Sequence, residues 1–196
     1  MKHNYNFIPL DFQTKSGLQF LPKILMLLDK NKSMMVDDYT DANYEGLLNF
    51  VKSFTPWFIA ITKNDEFLGF IYCTDWQGSE TQKHSCEISA CSEKKYFGSD
   101  TRNVLKLFTE YLYNNLGLVK IFARTYKENF NCVKILIDSG FKQEGFLKGS
   151  TLRNNELQDQ FIFGRLNPIF VKNKSVKDKR DYRIKYNYNK KNRKEV

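Results

Sequence analysis

The sequence has little glycine or proline and no long apolar run. Its 196 residues include 10 glycines and 4 prolines, which excludes collagen-like and low-complexity classes. The longest apolar runs are Ile24 to Leu28 and Trp57 to Ile61, whereas a membrane-spanning helix needs about 20 apolar residues. Because the N-terminal stretch also lacks a hydrophobic signal segment, we expect a cytoplasmic protein that makes no membrane contact.

Residues that bind transition metals are also scarce. The cysteines and histidines are Cys73, Cys86, Cys91, Cys132, His3 and His84. No two cysteines form a C-x-x-C pair, and a zinc site requires tighter clustering than this spacing provides. We therefore predict no metal site, and we interpret the cysteines as reduced thiols that fill small spaces in the core.

Apolar and aromatic residues are plentiful. Hydrophobic residues make up 41% of the chain and aromatic residues 15%, which excludes a fully disordered chain. The length fits one domain, with or without a tail. The composition therefore predicts a globular domain with a substantial core.

The positive charge is concentrated at one end. The chain carries +9 overall, and 11 of its 31 basic residues but 3 of its 22 acidic residues lie in 171–196. We therefore divide the chain into a nearly neutral domain, 1–170, and a basic tail, 171–196, that we expect to be disordered. The tail also contains tyrosines, so it either contacts RNA or the ribosome or is a solvated extension.

The periodicity of apolar residues predicts the element order β, α, α, β, β, β, α, β, α, β, β. This order indicates an α/β domain with one sheet and helices on its faces. We expect Asp41 to cap the second helix and Ser99 or Asp100 to cap the third. We also expect residues 75–83 to form a loop, and Pro168 to end the domain.

One stretch of sequence resembles a known motif. Residues 129–145 read NFNCVKILIDSGFKQEG, which resembles the N-x-x-S/A-x-x-x-L-x-x-x-G-F-x-x-E-G signature of the GNAT superfamily of N-acetyltransferases. Within it, the branch that acetylates ribosomal-protein N-termini is the most similar. The stretches LGLVKI (116–121) and CEISA (86–90) and the position of Asp159 also resemble that family. The resemblance spans residues 5 to 168 and implies a mixed, mostly antiparallel central sheet with helices on both faces.

The resemblance implies acetyl-CoA as the co-substrate. In the family, a glycine-rich loop at the start of the long helix presents backbone N–H groups to the pyrophosphate. Here this loop retains one glycine, so the alternative is a helix start that binds no ligand. The residues implied in cofactor binding are Ala90, Phe97, Gly98, Ser99, Asp100, Thr101, Arg102 and Asn129.

Within this loop, Asp100 would repel a diphosphate unless it turns away to cap the helix. Arg102 and the hydroxyls of Ser99 and Thr101 could compensate for its charge. The resemblance also implies that Asn129 bonds the pantetheine arm, and that an N–H near Ala90 meets the thioester oxygen.

Two residues are candidates for catalysis. Glu87 is the candidate base for the acceptor ammonium, and its alternative is a solvent-facing strand residue. Cys132 occupies the motif position where the branch has a proposed serine proton donor, and its alternative is a buried helix cysteine. The tyrosine used by many relatives is replaced by Leu136, which closes that route.

The expected function is acetyl-CoA-dependent acetylation of a primary amine by direct attack in a ternary complex. The acceptor is either a protein N-terminal amine or a small amine. The alternative is a catalytically weakened binding module of the same fold that docks RNA or the ribosome through its tail. Four aromatic residues either line an acceptor groove or pack in the core: Tyr44, Phe50, Trp57 and Trp76.

Overall fold

The computed structural model describes residues 4–172. Seven strands in this part of the chain form one sheet in the order β1-β2-β3-β4-β5-β7-β6. The strands are β1 (Tyr5–Pro9), β2 (Phe58–Lys63), β3 (Glu66–Gly78), β4 (Lys83–Ser92), β5 (Lys120–Tyr126), β6 (Lys142–Arg153) and β7 (Glu156–Leu166). Neighbours pair antiparallel except β4 and β5, which pair parallel. The predicted mixed, mostly antiparallel sheet is confirmed.

Helices cover both faces of the sheet. They are α1 (Leu21–Met35), α2 (Tyr44–Ser53), α3 (Ser99–Leu116), α4 (Phe130–Asp138) and α5 (Pro168–Lys172). Leucines of α1 and α2 form one core with Phe58, Phe70 and Tyr72. Leu105 and Leu136, from α3 and α4, form the other core. Since side chains alternate along a strand, β2 and β3 contribute to both cores.

The sheet opens between β4 and β5. These strands pair at three positions, Ser85 with Lys120, Cys86 with Ile121 and Glu87 with Phe122. Beyond them, β4 continues along β3, and β5 continues along β7. On the edge of β4 that faces β5, the backbone groups after Glu87 therefore border a gap in the sheet, while the other edge stays paired with β3.

Several predicted helix starts are wrong. Asn43, not Asp41, caps α2, with its side chain accepting from the Gly46 N–H at 2.9 Å. Ser99 and Asp100 do not cap α3, because both lie inside the helix and Gly98 occupies the cap position. A cap residue must lie outside the helix for its side chain to reach the first free N–H groups.

Other boundaries are more extended than predicted. The predicted loop 75–83 is shorter, because β3 runs to Gly78 and β4 begins at Lys83. Pro168 begins α5 rather than ending the domain, and α5 takes in residues 171 and 172 of the predicted tail. The remainder of that tail, and its suggested RNA or ribosome contact, lie outside the described residues. Between residues 4 and 172, no helix has the length and apolar character needed to cross a membrane.

Candidate active site

A cavity of about 610 Å³ occupies the gap between β4 and β5. On one side of the sheet it reaches the N-terminal ends of α3 and α4, at Thr101 and Cys132. On the other side it reaches the end of α1 and the β6–β7 hairpin, at Met35 and Thr151. The opening in the sheet therefore connects two compartments that lie on opposite faces.

Glu87 lies where the two strands separate. Its side chain is 6% exposed, and both carboxylate oxygens accept from Nε of Arg124, at 3.0 and 2.9 Å. Nη2 of Arg124 donates to Oε2 at 2.5 Å, and the backbone N–H of Arg124 donates to Oε1 at 3.3 Å. The carboxylate of Glu87 thus bridges the two strands just where their backbone pairing ends.

A second carboxylate shares the same guanidinium. Nη2 of Arg124 also donates to Oδ2 of Asp75 at 2.6 Å, and the Asp75 side chain is 49% exposed. Burial raises the pKa of Glu87, Arg124 opposes that rise, and the neighbouring Asp75 carboxyl adds to it. Glu87 therefore binds a proton more readily than an ordinary glutamate does.

The N-terminal end of α4 is capped from within the chain. The Asn129 side chain accepts from the Cys132 N–H at 3.1 Å, as a helix cap does. Burial raises the pKa of the Cys132 thiol, and the nearby Thr125 hydroxyl opposes that shift. Cys132 therefore holds its proton at neutral pH while lining the cavity.

The N-terminal end of α3 has no such cap. Gly98, at the cap position, has φ 98° and ψ −113°, and no side chain of the described residues hydrogen-bonds to the helix start as a cap. The first N–H groups of a helix have no carbonyl partner within the helix. This end therefore offers donors toward the surroundings, and Gly98 supplies the backbone geometry that exposes them.

The side chains around this helix start are already engaged. Asp100 turns away from the helix axis to Lys63, whose Nζ lies 2.9 Å from both carboxylate oxygens, and Tyr5 donates to it at 2.6 Å. Thr101 donates to the Tyr96 carbonyl at 2.8 Å. Asp100 thus does not cap the helix as expected, and its carboxylate pairs with a lysine and a tyrosine of neighbouring strands instead.

Thr101 and Arg102 were predicted to compensate for the charge of Asp100, but both residues also make contacts within the chain. The Thr101 hydroxyl donates to the Tyr96 carbonyl, and Arg102 pairs with Asp138 of α4 at 3.1 Å. Arg102 is one-third exposed, and the bond to Asp138 uses one of the five N–H groups of its guanidinium. The charge of Asp100 is instead compensated by Lys63.

The structure brings most of the predicted site residues together. Those lining the cavity are Glu87, Ala90, Phe97, Thr101, Asn129 and Cys132. The others form the cap and first turn of α3 and are Gly98, Ser99, Asp100 and Arg102. One cavity and one helix end thus account for the whole set.

The predicted aromatic groove does not coincide with the cavity lining. Tyr44 is 70% exposed on α2, so it does not pack in the core. The rings of Trp57 and Trp76 pack against each other with centroids 5.0 Å apart. The compartment next to α1 is lined instead by Tyr72, Tyr126 and a set of mostly polar residues.

Sequence reasoning missed Arg124, Asp75 and Lys63. Arg124 and Glu87 share a face because Glu87 pairs with Phe122 in the parallel register, two residues before Arg124. That register cannot be seen in the sequence alone. Asp100, an acid in a loop expected to bind an anion, was the available sign that a cation such as Lys63 would lie beside it.

Comparison with models of protein families gives no match, and comparison with curated proteins gives none either. Solved structures do match. An acetyltransferase of the GNAT family from Bacillus anthracis is 18% identical with a TM-score of 0.68, over 85% of this chain and 97% of that one. Spermidine N-acetyltransferase from Vibrio cholerae, bound to CoA and spermine, is 16% identical with a TM-score of 0.67, over 85% and 98%.

A third similar structure belongs to the branch singled out by the motif. Ribosomal-protein-alanine N-acetyltransferase from Brucella melitensis is 15% identical with a TM-score of 0.63, over 76% of this chain and 95% of that one. These likenesses extend over nearly the whole of each neighbour. The chain therefore has the fold of the GNAT acetyltransferases.

Proposed function

We propose that this protein is an acetyl-CoA-dependent N-acetyltransferase that acts on a primary amine. The observation that carries the proposal is the placement of Glu87 at the opening of the sheet, in one cavity with Cys132 and with the N-terminal ends of α3 and α4. A candidate base and a candidate proton donor thereby border one space that is open on both sides of the sheet.

The residues present suit acetyl-CoA. The uncapped first turn of α3 suits a pyrophosphate, since helix N-termini favour anions, and a Cβ built on Gly98 would meet no atom within 4 Å. Asp100 is held by Lys63, which reduces its repulsion of a bound diphosphate. Gly98, Ser99 and Asn129 would hold the co-substrate, with Ala90 beside the reacting end.

Acetyl-CoA supplies an activated acetyl group on a thioester. Glu87 removes a proton from the acceptor ammonium, because burial raises the pKa of its carboxyl and so makes it a stronger base, while Arg124 opposes that rise. The carboxylate keeps accepting capacity beyond the bonds from Arg124, since its two oxygens together offer about four lone-pair positions. The Cys132 thiol, protonated because burial raises its pKa, donates its proton to the departing sulfur and regains the second proton that the nitrogen loses as the amide forms.

The compartment next to α1 is where the acceptor would enter. Its charged lining residues are Asp37, Glu87 and Arg124, and since the carboxyl groups outnumber the guanidinium they favour a cationic amine over an anionic substrate. The solved neighbours include enzymes named for spermidine and for ribosomal-protein alanine. Both a polyamine and a protein N-terminal amine fit this chemistry.

Binding of acetyl-CoA tests the first half of the proposal. A ligand that binds the native state raises the melting temperature with increasing concentration. We expect acetyl-CoA to raise the melting temperature, and we expect pantetheine to raise it less because pantetheine lacks the pyrophosphate. A melting temperature unchanged by acetyl-CoA would contradict the proposal.

Turnover tests the second half. Thiol release would be measured with spermidine, an alanyl peptide amide and phosphinothricin as acceptors. We expect Glu87→Gln to lower kcat by roughly 10²-fold or more, the usual effect of losing a general base, with little change in acetyl-CoA affinity. Acetyl-CoA binding without turnover on any amine would favour the binding-module alternative, which the neighbours' names do not support.

A further inference from the structure

Acetylation of an ammonium group releases a proton that must leave the site. An ammonium and a thioester give an amide, a thiol and one free proton. The inference in this section rests on the proposed function, in which Glu87 takes that proton. Because the Glu87 side chain is 6% exposed, direct contact between its carboxyl and bulk water is poor, and a route outward is required for every turnover.

Asp75 lies on such a route. Its Oδ2 and the Oε2 of Glu87 accept from the same nitrogen, Nη2 of Arg124, at 2.6 and 2.5 Å. Two oxygens bound to one nitrogen are neighbours, so the two carboxyls lie side by side, and a proton can pass between them directly or through one water. The Asp75 side chain is 49% exposed, so it joins the buried carboxyl to the solvent.

The backbone at Asp75 is shaped for this position. Asp75 has φ 46°, a left-handed conformation that residues other than glycine adopt infrequently. The ladder between β3 and β4 is irregular after Thr74, which pairs with Glu87. This irregularity carries the Asp75 side chain to the face of the sheet that holds Glu87 and Arg124, where regular alternation would have placed it on the opposite face.

We propose that Asp75 is the proton exit of the active site and that Arg124 is the positioning residue that holds Asp75 against Glu87. After Glu87 has accepted the proton of the acceptor ammonium, its O–H bond breaks as an O–H bond forms on Asp75. Asp75 then releases the proton to water. No electrons are exchanged, and both carboxylates return to their starting state.

The geometry around Glu87 makes Asp75 the acceptor of its proton. The titratable or charged groups that surround Glu87 are Asp37, Tyr72, Asp75, Cys91, Arg124, Tyr126 and Cys132. Burial raises the pKa of Tyr72, of Tyr126 and of Cys132, and it raises that of Cys91 to about 12, so these four stay neutral near pH 7. Asp75 is the carboxylate bonded to the same guanidinium as Glu87.

Rescue by buffer separates a proton exit from a structural role. Small bases in solution can replace a missing proton-transfer group, whereas they cannot repair a distorted site. We expect Asp75→Asn to lower kcat about tenfold in dilute buffer, less than the loss of a general base causes. Raising the imidazole concentration should restore most of kcat, with KM unchanged, using spermidine or the alanyl peptide amide as acceptor.

The matched control is Glu80→Gln. Glu80 is an exposed carboxylate in the connection between β3 and β4, so its replacement should leave kcat and its imidazole dependence as in the unmodified chain. An Asp75→Asn variant with full kcat in dilute buffer would overturn the proposal. A variant with reduced kcat that imidazole fails to raise would also overturn it.

A readout independent of turnover tests the pairing itself. The side-chain carboxyl carbon of Glu87 is followed by NMR as pH changes, and is identified by its loss in Glu87→Gln. Since Asp75 raises the pKa of Glu87 and Arg124 lowers it, Asp75→Asn should shift the titration to lower pH and Arg124→Gln to higher pH. Two shifts of the same sign would contradict the shared arrangement.

The two readouts distinguish the possible failures. If the shifts appear and the unmodified chain turns over no amine, the proposed function fails and the exit role falls with it. If the unmodified chain is active and Asp75→Asn behaves like Glu80→Gln, the proposed function stands and the exit role alone is overturned.

Discussion

The N-terminal ends of α3 and α4 border the same cavity and differ in whether a side chain binds their first backbone N–H groups. The N–H of Cys132, in the first turn of α4, is bound by the side chain of Asn129. The first turn of α3 follows Gly98 and has no side-chain cap among the described residues. Asp100, the acidic residue in the first turn of α3, is bound to Lys63.

The difference shows how one motif can serve two purposes. In a capped helix end, a backbone N–H is already bound by a side chain of the same protein, and this bond stabilises the helix. An uncapped end gives up that stability and keeps its donors for an anion. We therefore assign the structural role to the end of α4, where a side chain supplies the chemistry, and the ligand-binding role to the end of α3, where the backbone does.

The sharpest test of the end of α4 concerns the thiol it presents. We expect Cys132→Ala to lower kcat by roughly 10²-fold, the lower range for a proton-transfer group, because alanine has no proton to donate. Cys132→Ser should keep most of the activity, measured by thiol release at saturating acetyl-CoA. Equal rates in the two variants would remove Cys132 from the mechanism.

The next largest effect belongs to the end of α3. Gly98 has φ 98°, and forcing a side chain into such backbone costs about 1–3 kcal/mol. We expect Gly98→Ala to weaken acetyl-CoA binding about tenfold, measured by calorimetry, since about 1.4 kcal/mol corresponds to a tenfold change in Kd.

Gly117 provides the control at the other end of the same helix. It has φ 65°, and a Cβ there, as at Gly98, would meet no atom within 4 Å. Gly117→Ala should therefore lower the free energy of unfolding in a similar way while leaving the acetyl-CoA Kd unchanged. Equal Kd values in the two variants would show that the backbone shape at Gly98 is irrelevant to binding.

A smaller effect is expected for the cap of α4. Asn129→Ala should lower the free energy of unfolding by about 1 kcal/mol, the usual cost of losing a helix cap, as measured by urea denaturation. Asn43, which caps α2 through the same type of bond to Gly46, provides the control. Since Asn129 is also proposed to hold the co-substrate, Asn129→Ala should weaken acetyl-CoA binding while Asn43→Ala leaves it unchanged, and equal Kd values would limit Asn129 to capping.

The smallest effect concerns the charge beside the open end. Lys63→Met removes the ammonium that binds the Asp100 carboxylate, so the negative charge near α3 is less compensated. We expect the acetyl-CoA Kd to rise about threefold at low salt, in line with the effect of one charge at a helix end. Asp100→Asn in the same variant should reverse the change, and an unaltered Kd in both would show that the carboxylate lies too far from the ligand.

Much of the fold was predictable because local patterns agree with it. Asn154 and Asn155 both take positive φ at the turn between β6 and β7, as their residue types suggest for a tight hairpin. Gly117 ends α3 in the left-handed conformation, which favours glycine. In each case a few neighbouring residues decide the local structure, so the sequence signal is enough.

The site was predictable only in part, because its electrostatics depend on residues far apart in the chain. Glu87, Asn129 and Cys132 were found through a motif and a strand pattern. Their partners were not, since Arg124 reaches Glu87 through the register of a parallel strand pair. Lys63 likewise reaches Asp100 from a different strand, and no spacing rule links the two.

Three residue pairs join β4 to β5, and they divide the sheet into two half-sheets, β1 to β4 and β5 to β7. The width of the gap between β4 and β5 follows from the angle between the two half-sheets at these three pairs. Cys86 and Ile121 are buried at these pairs, so their packing helps to set that angle, and amide hydrogen exchange at the three pairs would report a ligand that widens the gap.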